Sequence, residues 1–276
     1  MLQYRSSRRW PTPIPRARVL ALILGAGGLV VVLLAALVLS AYHLVHPLTS
    51  SFPLPPGVNR NRGVSAAVAR ARDDLAARAM PDTATGHEYG QPELSTRDPG
   101  ARLHLPPARG VDSLGVATGF PQTPLGALSE LIAIDTAVLQ SASLPMTRAV
   151  ITAWAAPGGP SAQSWSGVKA MAAFLESAGV SGAGSPRLRV AATAAMGLIK
   201  GQVGDDFVVP CVDFSIDVTR DGATDTGVSV DCQRMLWLDG RWVIGPGAEP
   251  APATQVWPDT DPAIATGFRD LAPRPT

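Results

Sequence analysis

The chain has 276 residues, a formal net charge of +1 at pH 7 and 46% hydrophobic residues. That length is sufficient for one folded domain of ordinary size together with an anchor and a connector. Positive charge is concentrated before residue 19, so the rest of the chain has no basic stripe. We therefore expect no direct nucleic-acid binding.

The first predicted element is the charge-free run from Val19 to Tyr42. A helix of this length would measure roughly 36 Å, and a bilayer core is about 30 Å thick. A cleaved signal peptide is the alternative, but its apolar region is shorter, about 7–15 residues. The arginines before the run place that side in the cytoplasm by the positive-inside rule. They are Arg5, Arg8, Arg9, Arg16 and Arg18.

This pattern predicts a cytoplasmic tail at residues 1–18, a single-pass transmembrane helix at residues 19–43 and an extracellular C-terminal domain. Residues 44–110 are rich in proline and poor in large apolar residues, which is typical of an extended linker. Within this linker, Val64 to Met80 is alanine-rich and predicts one solvated helix that Pro81 ends.

The exported domain is predicted to span residues 111–276 and to begin with helices. Thr123 is a suitable N-cap and Pro124 a suitable first residue for a helix that continues to about Ser141. Two further helices are predicted at residues 145–155 and 164–178, with Gly179 as a left-handed cap for the second. A last short helix, capped by Asp261, is predicted to reach about residue 271.

Strand patterns follow these helices. Segments rich in β-forming residues at 188–200, 207–219, 227–238 and 242–244 alternate with short turns, of which Asp221-Gly222 and Asp239-Gly240 are typical hairpin turns. Consecutive strands with short turns form an antiparallel meander. The fold class predicted is therefore α+β, with helices packed on a curved antiparallel sheet.

Cys211 and Cys232 are the only cysteines, and in an extracellular domain they would lie in an oxidising environment. A hairpin centred on Asp221-Gly222 places them opposite each other, which predicts a disulfide. The same register mixes apolar and polar residues on one face; a shift by one residue would pair Phe214 with Val230 but separate the cysteines. A bulge near Pro210 would reconcile the two patterns. The alternative is that both are small buried apolar residues.

Catalytic motifs are scarce. All four histidines precede residue 111, which removes imidazole-based catalysis and histidine-containing zinc sites from the domain. Asp213, Asp217 and Asp231 lie on predicted strands, and a buried one could act as a base. For Asp213 and Asp217, strand alternation favours a solvated outer face. Partly exposed tryptophans would suit a protein interface; the candidates are Trp237, Trp242 and Trp257.

Three segments carry a resemblance to known families: residues 119–124 (GFPQTP), residues 207–214 (FVVPCVDF) and residues 241–247 (RWVIGPG). They are similar to membrane proteins of actinobacterial integrative elements that are linked with conjugative transfer. The whole arrangement of tail, anchor, linker and exported domain resembles the bitopic assembly components of type IV secretion and conjugation systems. Their exported domain resembles the cone of ketosteroid isomerase and nuclear transport factor.

The resemblance implies a non-enzymatic membrane scaffold without catalytic residues, cofactor or metal, whose partners are the membrane and other secretion or conjugation subunits. Association of the chain with itself is left open. Two alternatives remain. One is an accessory protein of a lipid-import complex of the mammalian-cell-entry type, and the other is a small-ligand binder or isomerase that uses the cavity of the cone. The isomerase requires an inward carboxylate beside an open apolar pocket.

Overall fold

The computed structural model describes residues 65–81 and 92–272, which form an α+β fold with helices and an antiparallel sheet. The helices are α1 (Ala66–Ala77), α2 (Pro124–Ser141), α3 (Leu144–Trp154), α4 (Ser166–Ser177) and α5 (Asp261–Thr266). The strands are β1 (Gly110–Val111), β2 (Ala117–Thr118), β3 (Leu188–Gln202), β4 (Phe207–Arg220), β5 (Ala223–Cys232), β6 (Met235–Leu238), β7 (Arg241–Ile244) and β8 (Arg269–Asp270). The predicted tail and anchor lie outside the described residues. In the part that is described, no helix is both long enough and apolar enough to cross a bilayer.

Local signals place the helices near their predicted positions. The Thr123 side chain accepts a hydrogen bond from the Gly126 N–H at 3.0 Å, and Pro124 opens α2, as predicted. Gly179 follows α4 with a φ of 63°, which confirms the left-handed cap. Helix α5 is shorter than predicted because Gly267, at φ 104°, ends it. The chain then forms β8 against β3.

Helix α1 packs one side against the sheet while most of its residues stay exposed, so the prediction of a solvated helix is corrected for that packed side. Leu75 and Ala76 are buried against a cluster that contains Phe207. Arg72 Nη2 lies 2.7 Å from Asp206 Oδ1 in an ion pair. Apolar burial, this ion pair and a second one made by Asp73 therefore attach the helix to the rest of the domain.

The main sheet has the strand order β7-β6-β4-β3-β8, and β5 pairs with β4 beside β6. The β4–β5 hairpin closes through Asp221 and Gly222, whose φ values of 51° and 89° suit a two-residue turn. Its register places Cys211 opposite Cys232, and these residues form the predicted disulfide.

The predicted bulge between β4 and β5 is absent. Phe214 lies opposite Ser229 in an unshifted register. A register shift does occur beside Pro210, but it lies in the β3–β4 pairing, between Ile199 and Gly201. One predicted strand at 227–238 is divided into β5 and β6 at Gln233 and Arg234. Gln233 N–H donates to the Pro210 carbonyl at 3.3 Å, but Pro210 has no N–H to return the bond. The ladder is therefore interrupted at this proline.

Strand alternation divides the core between the two faces of β4. Val212 and Phe214 face the helices α2, α3 and α4 within the larger cluster. Cys211 faces the opposite side, where the C-terminal segment, defined here as residues 249–272, contributes Val256 and Phe268 to a second cluster. Met80 packs against the disulfide, with its sulfur 3.7 Å from Cys232 Sγ.

Candidate functional site

A cavity of about 590 Å³ lies between the helices, the sheet and the start of the C-terminal segment. Exposed lining residues on α4, such as Ser166 and Ala170, show that the cavity reaches the surface. Its walls are mainly apolar and come from α2, α4 and strands β3 to β5. They include Val138, Met171, Phe174, Val190, Phe214 and Ile216.

Asp135 is the most buried carboxylate of this cavity. It lies on α2 in line with Leu128, Leu131 and Val138, all of which are buried. Its side chain is only 6% exposed, and its Oδ2 has no hydrogen-bond partner among the described residues. Burial is the larger cause that raises the pKa of Asp135 well above its ordinary value, and the negative charge of Asp231 is the second. The raised pKa favours the protonated form of Asp135 compared with an ordinary aspartate.

Asp231, on β5, lines the same cavity and has a different environment. The side-chain amide of Gln233 donates to both of its carboxylate oxygens, at 2.9 Å and 3.1 Å. Burial raises the pKa of Asp231 to about 6, while the Gln233 hydrogen bonds act in the opposite direction. At neutral pH Asp231 is therefore expected to be largely ionised. Glu249 is the third carboxylate in the lining of this cavity.

The α4 end of the cavity contains an unsatisfied donor. Trp165 is 1% exposed, and its Nε1 has no hydrogen-bond partner among the described residues. Gly167 leaves room for this ring, since a Cβ there would lie 2.7 Å from the indole. Glu249 accepts a hydrogen bond from the Ser166 N–H at 2.9 Å and thereby caps α4 from the C-terminal segment.

The prediction that Asp213 faces solvent is wrong. Asp213 is completely buried on the side of β4 opposite the cavity, and neither carboxylate oxygen has a partner in the described part of the chain. Burial, with a smaller contribution from Asp259, raises its pKa to about 8. Alternation correctly gave the face, but the C-terminal segment covers it. Asp217, four residues further along, is exposed as predicted.

The three candidate interface tryptophans do not form one exposed group. Trp242 is completely buried, and its Nε1 donates to the Pro121 carbonyl at 2.9 Å, so its assignment to an interface is corrected. Trp237 is half-buried and packs edge-on against Trp242 with 5.3 Å between ring centres. Trp257 is half-buried in the C-terminal segment.

Within the described residues, no cluster of three or more His, Cys, Asp or Glu side chains is arranged to hold a metal ion. Compared with known proteins, the chain matches no family model, no curated protein and no solved structure. The predicted resemblance to conjugation components therefore stays a prediction. The cavity has to be interpreted from its own residues.

None of the sequence patterns above identifies Asp135 as a candidate site residue, although the sequence contains a signal. An aspartate at a position of the apolar helical stripe, between Leu131 and Val138, is costly to bury without a partner. Asp231 was considered only as one of several strand carboxylates. Its position beside Asp135 depends on how α2 packs near β5, which no local pattern gives.

Proposed function

We propose that the domain binds a small, largely apolar molecule that carries a cationic or hydrogen-bond-donating group. The observation that supports this proposal is the cavity of about 590 Å³ with Asp135 and Asp231 in an otherwise mainly apolar wall. Ligand sites typically measure about 300–1,000 Å³ and combine apolar walls with a few polar groups. Both features are present here.

The polar groups of the cavity define the ligand chemistry. An unpaired polar atom such as Asp135 Oδ2 costs about 1–3 kcal/mol when it is buried, and a hydrogen bond to the ligand would recover part of that cost. The ionised Asp231 favours positive charge nearby. The unpaired Trp165 Nε1 adds a donor for a ligand acceptor. An amine attached to a compact apolar body fits these three groups.

Two other predicted functions, an isomerase and a non-enzymatic membrane scaffold, concern the same chain. The isomerase alternative required an inward carboxylate beside an apolar pocket; Asp135 and Asp231 meet that requirement and Asp213 does not. The non-enzymatic scaffold of a conjugation system, and the single-pass membrane location, depend on residues before 65 and on partners. We retain both as proposals.

We also propose a nuclear-transport-factor-like cone, because helices and the long β4–β5 hairpin enclose the cavity.

A direct test uses the full chain in lipid nanodiscs and 2-naphthylmethylamine as the probe, with empty nanodiscs as the blank. We expect saturable binding that is about tenfold weaker for the matched alcohol and weaker again for the matched carboxylate, as expected from a charge-assisted contact. Asp135→Asn and Asp231→Asn should each reduce the preference for the amine. Equal affinity for all three probes would contradict the assignment of the carboxylates.

Two alanines on α4 provide a matched pair for the location of the site. Ala170 lines the cavity, whereas Ala173 is exposed and lies outside its lining. Ala170→Phe should obstruct the cavity and reduce probe affinity by about tenfold or more, while Ala173→Phe should leave it unchanged. If both variants bind like the wild type, the ligand site is elsewhere.

A further inference from the structure

Strand β5 forms an edge of the sheet over much of its length. It pairs with β4 in one unbroken register from Cys211–Cys232 to Arg220–Ala223, and no other described strand pairs with it. An edge strand presents alternate N–H and C=O groups away from its neighbour.

Gln255 identifies the outward groups. Its Oε1 accepts from the Val230 N–H at 2.9 Å, and its Nε2 donates to the Val230 carbonyl at 3.0 Å. The backbone of Val230 therefore points away from β4, and by the two-residue period so do the backbones of Thr224, Thr226 and Val228. Among the described residues, none bonds to the outward backbone groups of these three.

Most of the usual protection of an edge is missing over this stretch, in which Asp225 is the one charged residue. Natural sheets block exposed edges with lysine, proline, a bulge or a covering segment. Residues 223–229 contain no lysine, arginine or proline, and the β4–β5 register has no shift. The edge is covered at Val230, where the side-chain amide of Gln255 makes the two backbone hydrogen bonds that a neighbouring strand would make.

The charges beside this open edge have one sign. Asp225 and Asp217 are both exposed, and alternation places them on opposite faces of the hairpin. Thr226 Oγ1 donates to Asp217 Oδ1 at 2.7 Å, which holds that carboxylate next to the edge. The nearest arginine in the pairing, Arg220, lies at the hairpin end beside Asp221. An incoming strand would therefore meet negative charge.

We propose that the edge of β5 from Thr224 to Val228 binds an extended basic peptide by strand addition. Backbone hydrogen bonds to the three outward residues supply the affinity, and Asp217 and Asp225 select lysine or arginine side chains. The site adjoins the proposed small-molecule cavity, whose lining includes Gly227 and Val228. Thr224 and Thr226 lie outside that lining, so amide exchange at these two residues reports on the peptide site alone and each proposal can fail without the other.

The free chain gives the first test, through amide hydrogen exchange measured by NMR on the full chain in nanodiscs. We expect fast exchange at Thr224, Thr226 and Val228 and slow exchange at Asp225 and Gly227, whose N–H groups face β4. Slow exchange at all five positions would mean that the edge is already occupied, for example by a second copy, and would overturn the proposal.

The second test uses a heptapeptide of alternating lysine and valine as the probe. It should bind and slow exchange at the three outward amides, while a glutamate–valine peptide should bind about tenfold more weakly. Three N-methyl groups on consecutive residues block both edges of the peptide and should abolish binding. Three on alternate residues leave one edge free and should be tolerated. Equal binding of the two methylated peptides would rule out strand addition.

A charge reversal tests the selectivity. The double variant Asp217→Lys/Asp225→Lys should bind the glutamate peptide in preference to the lysine peptide. The matched control, Asp205→Lys/Glu176→Lys, changes two exposed carboxylates away from β5 by the same charge and should behave like the wild type. An unchanged hairpin exchange pattern shows that each variant is folded. If the control reverses the preference as well, only net charge is being measured and the proposal fails.

Discussion

The two sides of strand β4 contain similar chemistry but differ in access. On the helix side, Phe214 contributes to a cavity that also exposes Asp135 and Asp231. On the outer side, Asp213 is buried among apolar residues that the C-terminal segment covers. Burial raises the pKa of the carboxylates on both sides. The cavity of about 590 Å³ that a ligand could enter is lined by Asp135 and Asp231, and Asp213 is not in its lining.

This difference shows that a raised pKa does not by itself identify a site. Asp213 and Glu130 are both completely buried, and burial raises the pKa of each to about 8. Neither lines the cavity of about 590 Å³. Accessible volume beside an unpaired carboxylate is the stronger criterion, and it selects Asp135.

The largest effect on the comparison should come from removing the disulfide, which joins β4 to β5 on the outer side. The double variant Cys211→Ala/Cys232→Ala should lose about 3 kcal/mol of unfolding free energy, because the cross-link closes a loop of about 20 residues. Chemical denaturation of wild type and variant measures this. A loss below about 1 kcal/mol would show that the outer side does not depend on the cross-link.

A smaller effect is expected for Asp213→Asn. The folded pKa of about 8 exceeds the ordinary 3.8, so the native state retains a proton that the unfolded chain releases. The contribution of Asp213 to wild-type stability is therefore greatest below about pH 4 and falls as the pH rises towards 8. The Asp213→Asn variant should lose less unfolding free energy over this pH range. At pH 8 it should be about 2 kcal/mol more stable than the wild type, after the cost of its own unpaired buried amide is subtracted.

Asp217→Asn, on the same strand, is the matched control, because Asp217 is exposed. Its melting temperature should follow the wild type at every pH. Identical pH profiles for Asp213→Asn and wild type would mean that Asp213 is solvated, and the distinction between the two sides of β4 would be lost.

The smallest effect concerns two glycines of the cavity wall. A Cβ at Gly167 would meet the Trp165 ring at 2.7 Å, whereas one at Gly227 would meet nothing within 4 Å. Gly167→Ala should therefore lower the unfolding free energy by about 1 kcal/mol and change the indole fluorescence. Gly227→Ala should neither lower the unfolding free energy nor change the fluorescence. Equal melting temperatures and spectra for the two variants would show that the cavity wall at Trp165 is not tightly packed.

Local features of the fold could be predicted from the sequence. The start of α2 at Thr123 and Pro124 and the turn at Asp221-Gly222 depend on residues close in the chain, and the structure confirms them. The disulfide follows from that turn, because a two-residue loop determines the register of the hairpin. Pro210 was correctly identified as irregular, although the register shift beside it lies in the β3–β4 pairing and not in the β4–β5 pairing.

Features that depend on distant segments could not be predicted in the same way. Alternation assigned Asp213 to the outer face, but only packing of the C-terminal segment decides whether that face is wet. The cavity likewise depends on the distance between α2, α4 and the β4–β5 hairpin, which no periodicity encodes. For this reason Asp135, its central residue, appeared in the sequence as an unremarked position of an apolar helix.

Methionine methyl NMR offers the most direct test of the central claim, because Met171 lines the cavity and Met196 lies in the cluster on the outer side. The full chain, labelled at methionine methyl groups, would be titrated in nanodiscs with 2-naphthylmethylamine. Substitution of each residue by leucine would assign the two signals. The account predicts a saturable shift of the Met171 signal and an unchanged Met196 signal. A Met171 signal that does not move at saturating probe, or equal shifts of both, would contradict it.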